Sequence, residues 1–226
     1  MPANSKANSV ILIPVKSLSG AKQRLAPVCD QASRSELARV MLVDVLEAVA
    51  AWSGRPEVSL VTGDSYAAQL AREFDFQVIA DPCNAGETDA IEMATQLCET
   101  RGMESTLVIP ADIPLVKAEE LAELYAAAPV EGSVLVPASD GRGSNAIFRR
   151  PASLFPLCFG NDSFKPHLAA AQATGKACIV LSLPGIGLDV DNPGDLKQLA
   201  EASGETRSQR LVRKWGICET PLAANR

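Results

Sequence analysis

Four times before Pro129 a short apolar run is followed by a stretch of helical periodicity. The runs are Ser9–Pro14, Val58–Thr62, Phe76–Ala80 and Thr106–Ile109. They are rich in Val, Ile and Leu and carry no charge, as strands covered on both faces do,. The helical stretches are a long one after Ser33, one ending at Phe74, one over Ala90–Arg101 and one over Lys117–Ala127. Strand–helix repetition of this kind builds a parallel sheet with crossover helices, so the fold class expected is α/β.

Within the first long helix, Leu37, Met41, Leu42, Val45, Leu46 and Val49 fall on one face,. Ser33-Arg-Ser-Glu36 reads as a capping box that starts it,. The rhythm then changes. Ser133–Pro137 and Ala146–Arg149 are strands flanking Ser139-Asp-Gly-Arg-Gly-Ser-Asn145, which reads as a hairpin turn or as a backbone nest for an anion,. A helix capped by Ser163 runs to about Thr174, and Ala177–Leu181 is a late strand,. Asn192 with Pro193 starts a last regular helix,. The expected organisation is one domain over 1–203 and a peripheral tail over 204–226,.

The net charge of −6 argues against nucleic acid or an anionic membrane as the main partner,. No apolar run approaches the length of a membrane span,. The polar opening MPANSKANS is unlike a secretory leader, and six scattered cysteines without a C-x-x-C pair suit a cytoplasmic protein with reduced thiols,. A single histidine, His167, rules out a multi-histidine metal site and reads as a packed side chain.

Acids and bases gather near the ends of the strands. Asp112 follows the central run and lies between Pro110 and Pro114, where an open α/β sheet places its ligands,. It reads as a metal ligand or as a helix cap. Lys16, Lys22 and Arg24 occupy the loop after the first strand, which is neither a Walker loop nor a G-x-G-x-x-G turn,. That loop is either a cradle for a polyphosphate or a solvated basic surface. Thr88 stands where it can cap the third helix, whose amino terminus would also suit a phosphate or a base,. Asp189 and Asp191 alternate about Val190, which puts both carboxylates on one side of an extended chain, where a cation between them relieves their repulsion,. Gly160 and Ser163 offer backbone N–H groups and a hydroxyl to an acidic ligand.

Taken together, IPVKSLSGAKQRL, PADIPL, DGRGSNA, FGNDSF and GLDVDNPGDL resemble, in order, the motifs of the phospholactate/phosphoenolpyruvate/3-phosphoglycerate guanylyltransferase family of coenzyme F-420 biosynthesis. The resemblance spans about Val10 to Leu199. It implies a single-domain, Rossmann-like nucleotidyltransferase of the MobA-like type, with a mostly parallel sheet and a β-hairpin insertion after the fourth strand. It implies an enzyme that joins the GMP moiety of GTP to a small phosphorylated three-carbon acid and releases pyrophosphate. By position, Asp112, Asp189 and Asp191 match its magnesium ligands. Asp112, Lys22 and Arg24 match catalytic groups. Pro14, Val15, Lys16, Lys22, Arg24, Gly86, Thr88, Pro110 and Asp112 match its nucleotide site. Ser144, Asn145, Gly160 and Ser163 match its acceptor site. Two stretches depart from the pattern: Gly86-Glu87-Thr88 stands for G-L-N, and Gly141-Arg142-Gly143-Ser144-Asn145 for G-T-G-T-N. The partners expected are GTP and the phospho-acid, without nucleic acid or membrane and with a homodimer left open. A nucleotidyltransferase acting on molybdopterin or a sugar phosphate is the rival reading. A non-catalytic nucleotide-binding regulator is another.

Overall fold

Because their side chains alternate between two covered faces, the apolar runs settle as interior strands. In β1 (Ser9–Val15) every residue is buried. Ile11 and Ile13 pack on one face of the sheet, and Val10 and Leu12 on the other,. The computed structural model describes residues 8–82 and 86–216. Cys83, Cys218 and the first two residues, Asn84 and Ala85, of the polar turn expected at 84–89 lie outside those residues.

The chain continues through α1 (Gln31–Ala51), β2 (Glu57–Thr62), α2 (Ser65–Glu73), β3 (Gln77–Ala80), α3 (Glu87–Thr100), β4 (Ser105–Val108) and α4 (Ala118–Ala127). There follow β5 (Gly132–Pro137), β6 (Ser144–Arg150), α5 (Phe164–Ala173), β7 (Ala177–Val180), α6 (Pro184–Gly187), α7 (Pro193–Glu201) and α8 (Arg207–Lys214). The seven strands form one sheet in the order β3-β2-β1-β4-β6-β5-β7. β3, β2, β1 and β4 are mutually parallel, as the repetition predicts.

β6 is the exception. It runs antiparallel to both β4 and β5 while β7 is parallel to β5. The expected hairpin is thus a pair of full members of the sheet. This reversal has a functional effect: parallel strands deliver their carboxyl ends to one rim, and an antiparallel strand delivers its amino end there. Ser144 and Asn145, which open β6, therefore arrive beside the loop that leaves β4.

Helix α1 uses its apolar face twice. Leu42, Val45, Leu46 and Val49 cover the sheet, while Leu37 and Met41 join Leu188, Val190, Leu196, Leu199 and Val212 in a separate cluster. Its start differs from the expectation. Asp30 is the N-cap and its carboxylate accepts the Ser33 N–H at 2.8 Å, so Ser33 lies in the first turn rather than capping it. A charged acceptor satisfies that orphan donor better than a hydroxyl does. Asn192 caps α7 with Pro193 at its first position, as expected.

The stretch after Ser203 contains α8, docked on α1. The buried Asp44 of α1 accepts the Ser208 N–H at 2.8 Å and the Arg207 N–H at 2.9 Å. Its charge thereby meets the positive end of the α8 dipole. The sequence gives little warning of this, because the partner lies 164 positions away. Among the described residues no helix is long and apolar enough to cross a membrane.

Candidate active site

Two cavities open at the carboxyl rim of the parallel strands and share one wall. The first, of about 450 Å³, is lined by Pro14, Val15, Lys16, Gly20 and Lys22 from the loop after β1, with Ala38 and Met41 of α1 behind them. The second, of about 430 Å³, is lined by the turn between β5 and β6, the 159–163 loop, Asp189 and Arg24. Glu87, Pro110, Asp112 and Asp191 border both. An open α/β sheet binds ligands in this crevice.

The loop after β1 is held from beneath. The Thr62 hydroxyl donates to the Val15 carbonyl at 2.7 Å, and the Leu18 N–H donates to Asp64 at 3.0 Å while Asp64 also caps α2. Lys22 has a left-handed backbone, with φ 57° and ψ 45°. A non-glycine residue adopts this at a cost, and here it turns the side chain inward. Lys22 Nζ lies 2.5 Å from Asp112 Oδ2 and 2.7 Å from Asp191 Oδ1. Burial works against the ammonium, but the two carboxylates outweigh it and raise the Lys22 pKa. Lys22 is therefore a fixed positive charge at the wall common to the two cavities.

Asp112 is no helix cap, since Lys117 holds that place for α4. The Asp112 carbonyl accepts the Val190 N–H at 3.1 Å, a main-chain tie between the loops that carry the acids. Val190 is fully buried, and Asp189 and Asp191 both face the second cavity, as the alternation predicts. Asp189 Oδ1 accepts from the Asn145 amide at 3.0 Å. Burial raises the Asp189 pKa, and Asp112 and Asp191 add to that. Burial also opposes ionisation of Asp191, but the Lys22 ammonium prevails and lowers its pKa.

The three acids thus line one cavity without forming a ready-made cage. Among the described residues no three Asp, Glu, His or Cys side chains are grouped to hold a metal ion. The Lys22 ammonium takes the position between two of the expected ligands. Asp189 accepts from an amide rather than pairing with a cation, and that oxygen-rich edge is of the kind a hard divalent ion takes,.

Arg24 faces a different way from the expectation. It lines the second cavity with its Nη2 2.9 Å from Asn161 Oδ1 and its Nη1 3.8 Å from Asp191. Lys16 alone of the three bases is exposed on the first cavity. Gly86 and Thr88 border neither cavity. Thr88 lies inside the first turn of α3, and its hydroxyl accepts the Phe159 N–H at 2.9 Å, so it braces the 157–159 loop instead of capping the helix. Glu87 lies between them and faces both cavities. Burial and the nearby Asp112 push its pKa up to about 7, against the pull of Lys16 and Lys22. Two signals in the sequence point to Glu87: its place at the opening of a helix, and an acid standing where the G-L-N pattern has Leu.

The far wall is cross-linked. Ser163 makes no side-chain cap to α5; its hydroxyl accepts the Ser144 N–H at 3.2 Å. The Phe164 N–H donates to the Arg142 carbonyl at 2.8 Å, and Arg142 Nε pairs with Asp162 at 2.5 Å. Gly160 has φ 147°, where a Cβ is strained, and space lies open beside it,. Ser144, Asn145, Gly160 and Ser163 all border this cavity.

Comparison with known proteins bears on this geometry. The family described as guanylyl transferase CofC like matches residues 9–225. A phosphoenolpyruvate guanylyltransferase of Roseiflexus castenholzii is 34% identical over 204 residues, covering 90% of this chain and 93% of that one. One from Mycobacterium sp. (strain KMS) is 33% identical over 213 residues, covering 93% and 94%. Among solved structures, a putative nucleotide-diphospho-sugar transferase from Desulfovibrio desulfuricans G20 superposes with a TM-score of 0.77 at 19% identity, covering 94% of this chain and 97% of that one. A nucleotidyl transferase from Methanothermobacter thermautotroptrophicus gives 0.61 at 15% identity, covering 91% and 98%. At those identities the structural matches speak for the fold alone.

Proposed function

The chain belongs to the CofC-like guanylyl transferase family and is a nucleotidyltransferase, and from that premise we propose that it transfers the guanylyl group of GTP to a phosphorylated three-carbon acid in coenzyme F-420 biosynthesis. Phosphoenolpyruvate is the first candidate acceptor, because the relatives are named for it. GTP takes the cavity after β1, and the acid takes the cavity under the β5–β6 turn.

The observation that carries this reading is the wall the two cavities share, with Lys22 set between Asp112 and Asp191. The phosphate of the acid is already a nucleophile at neutral pH, so the site has no need of a general base. Its difficulty is to bring one anion onto another. An oxygen of that phosphate attacks the α-phosphorus of GTP, the bond from this phosphorus to the bridging oxygen breaks, and pyrophosphate leaves with the electron pair. Lys22 and Arg24 offset the charge where the two anions meet, and Lys16 steadies the triphosphate. Asp189 and Asp191, with Asp112 beside them, are the groups that would hold Mg²⁺. When bound, the ion supplies charge neutralisation for the phosphates. Ser144, Ser163 and the backbone at Gly160 orient the acid, and Asn145 holds Asp189 in place.

The test is to incubate the protein with GTP, Mg²⁺ and, separately, phosphoenolpyruvate, 2-phospholactate and 3-phosphoglycerate. Mass spectrometry then looks for the guanosine-diphospho acid, and a coupled assay follows pyrophosphate. The expected result is product with at least one acid and none without Mg²⁺. Absence of pyrophosphate release with all three acids rejects the proposal.

A further inference from the structure

The only histidine of the chain, His167, takes no part in the reaction as written above, yet it is fully buried directly behind the acceptor cavity. Its ring is held from both sides. The Cys158 N–H points at Nε2 from 2.9 Å, and a backbone N–H can only donate, so Nε2 carries the lone pair,. The proton of the neutral ring is therefore on Nδ1, which lies 2.9 Å from Ser144 Oγ. Burial, with Arg149 nearby, lowers the His167 pKa to about 4, which keeps the ring neutral at ordinary pH. Phe159 packs edge-on against it at 5.2 Å and leaves it little room to flip.

A serine hydroxyl has one proton. If Ser144 Oγ accepts from His167, that proton is left to donate, and Ser144 borders the cavity,. Ser163 Oγ likewise accepts the Ser144 N–H, which frees its own proton. We infer that His167 is a positioning residue that fixes the Ser144 hydroxyl as a hydrogen-bond donor into the acceptor cavity. The wall is thereby selective for an oxyanion of the acceptor, a carboxylate or a phosphate, over a group that must itself donate. The assignment of this cavity to the acceptor rests on the function proposed above; the tautomer of His167 does not.

Two measurements test it. With ¹⁵N-labelled histidine the chain gives one imidazole, whose nitrogen shifts report its tautomer. Protonated Nδ1 and bare Nε2 from pH 5.5 to 8 are expected; a protonated Nε2 overturns the inference. The second measurement is kinetic, with phosphoenolpyruvate as acceptor. His167→Gln keeps an oxygen to receive the Cys158 N–H but removes the donor to Ser144. It raises the acceptor KM about tenfold and leaves the GTP KM unchanged. His167→Asn keeps an N–H near the Nδ1 position and recovers most of that loss. Added to Ser144→Ala, His167→Gln has no further effect, because both remove the same bond. Equal rises in both KM values, additive effects, or His167→Asn as impaired as His167→Gln overturn it. A wild-type chain that transfers no guanylyl group rejects the function, while the imidazole spectrum still decides His167.

Discussion

The two cavities are nearly the same size, yet they are made in opposite ways. The one after β1 is built by chain leaving parallel strands, half of it from the single stretch 14–22, pinned by Thr62 and Asp64. The one under the β5–β6 turn is assembled from segments far apart in the chain, laced by Ser144–Ser163, Ser144–His167 and Thr88–Phe159. The parallel half of the sheet thus makes a site from a loop, and the reversed half makes one from a web of contacts. The first tolerates change locally, whereas the second transmits it.

Lys22 lines the first cavity and holds Asp112 and Asp191 of the shared wall, so its loss is the severest test of the division. Lys22→Met leaves two close carboxylates facing each other and should lower kcat by about a thousandfold while disturbing both KM values. A change confined to one substrate would show that the wall is not shared.

Acid should separate the regions next. The His167 pKa of about 4 lies below the roughly 6.5 of an unfolded histidine, so the unfolded chain binds the extra proton first,. Stability from this group is complete above pH 6.5 and is lost as pH falls toward 4. The loss is at most about 3 kcal/mol. Hydrogen exchange should show protection falling first at residues 144–167, and His167→Asn should flatten the pH dependence. Loss that begins in the loop after β1 would contradict this.

Single contacts should then divide by substrate. Lys16→Ala should raise the KM for GTP about tenfold and spare the acceptor; Ser163→Ala should do the reverse. Steady-state kinetics varying each substrate in turn decides this, and matching shifts would erase the distinction. The smallest effect is expected from Arg142→Ala, because its pair with Asp162 is mostly in solvent,. The melting temperature should hold, and the acceptor KM should move by about twofold. A larger shift would make Arg142 part of the acceptor wall in its own right.

This contrast also explains what can be read from the chain alone. The parallel half is legible because strand interiors declare themselves by β-branched runs, and ligands gather where such strands end. Asp112, Lys16 and Lys22 are placed at that rim in this way. Alternation about a buried Val190 likewise places Asp189 and Asp191 on one side. The reversed half is not legible in that manner. Thr88 and Ser163 sit at helix starts, and local rules read them as caps; each instead spends its hydroxyl on a distant backbone N–H. Arg24 counts as one of three neighbouring bases, but a turn of 3-10 helix sends it across to Asn161. Asp44 and Glu87 owe their roles entirely to what folds against them.

The main-chain bond between the Asp112 carbonyl and the Val190 N–H acts as a caliper for the loops that carry Asp112, Asp189 and Asp191. Being backbone, it does not depend on the identity of the exposed side chains nearby, and removal of that N–H, as proline would do, opens it. Drift in the surrounding surface can therefore reshape the neighbouring wall without altering the spacing of the loops that carry the three acids.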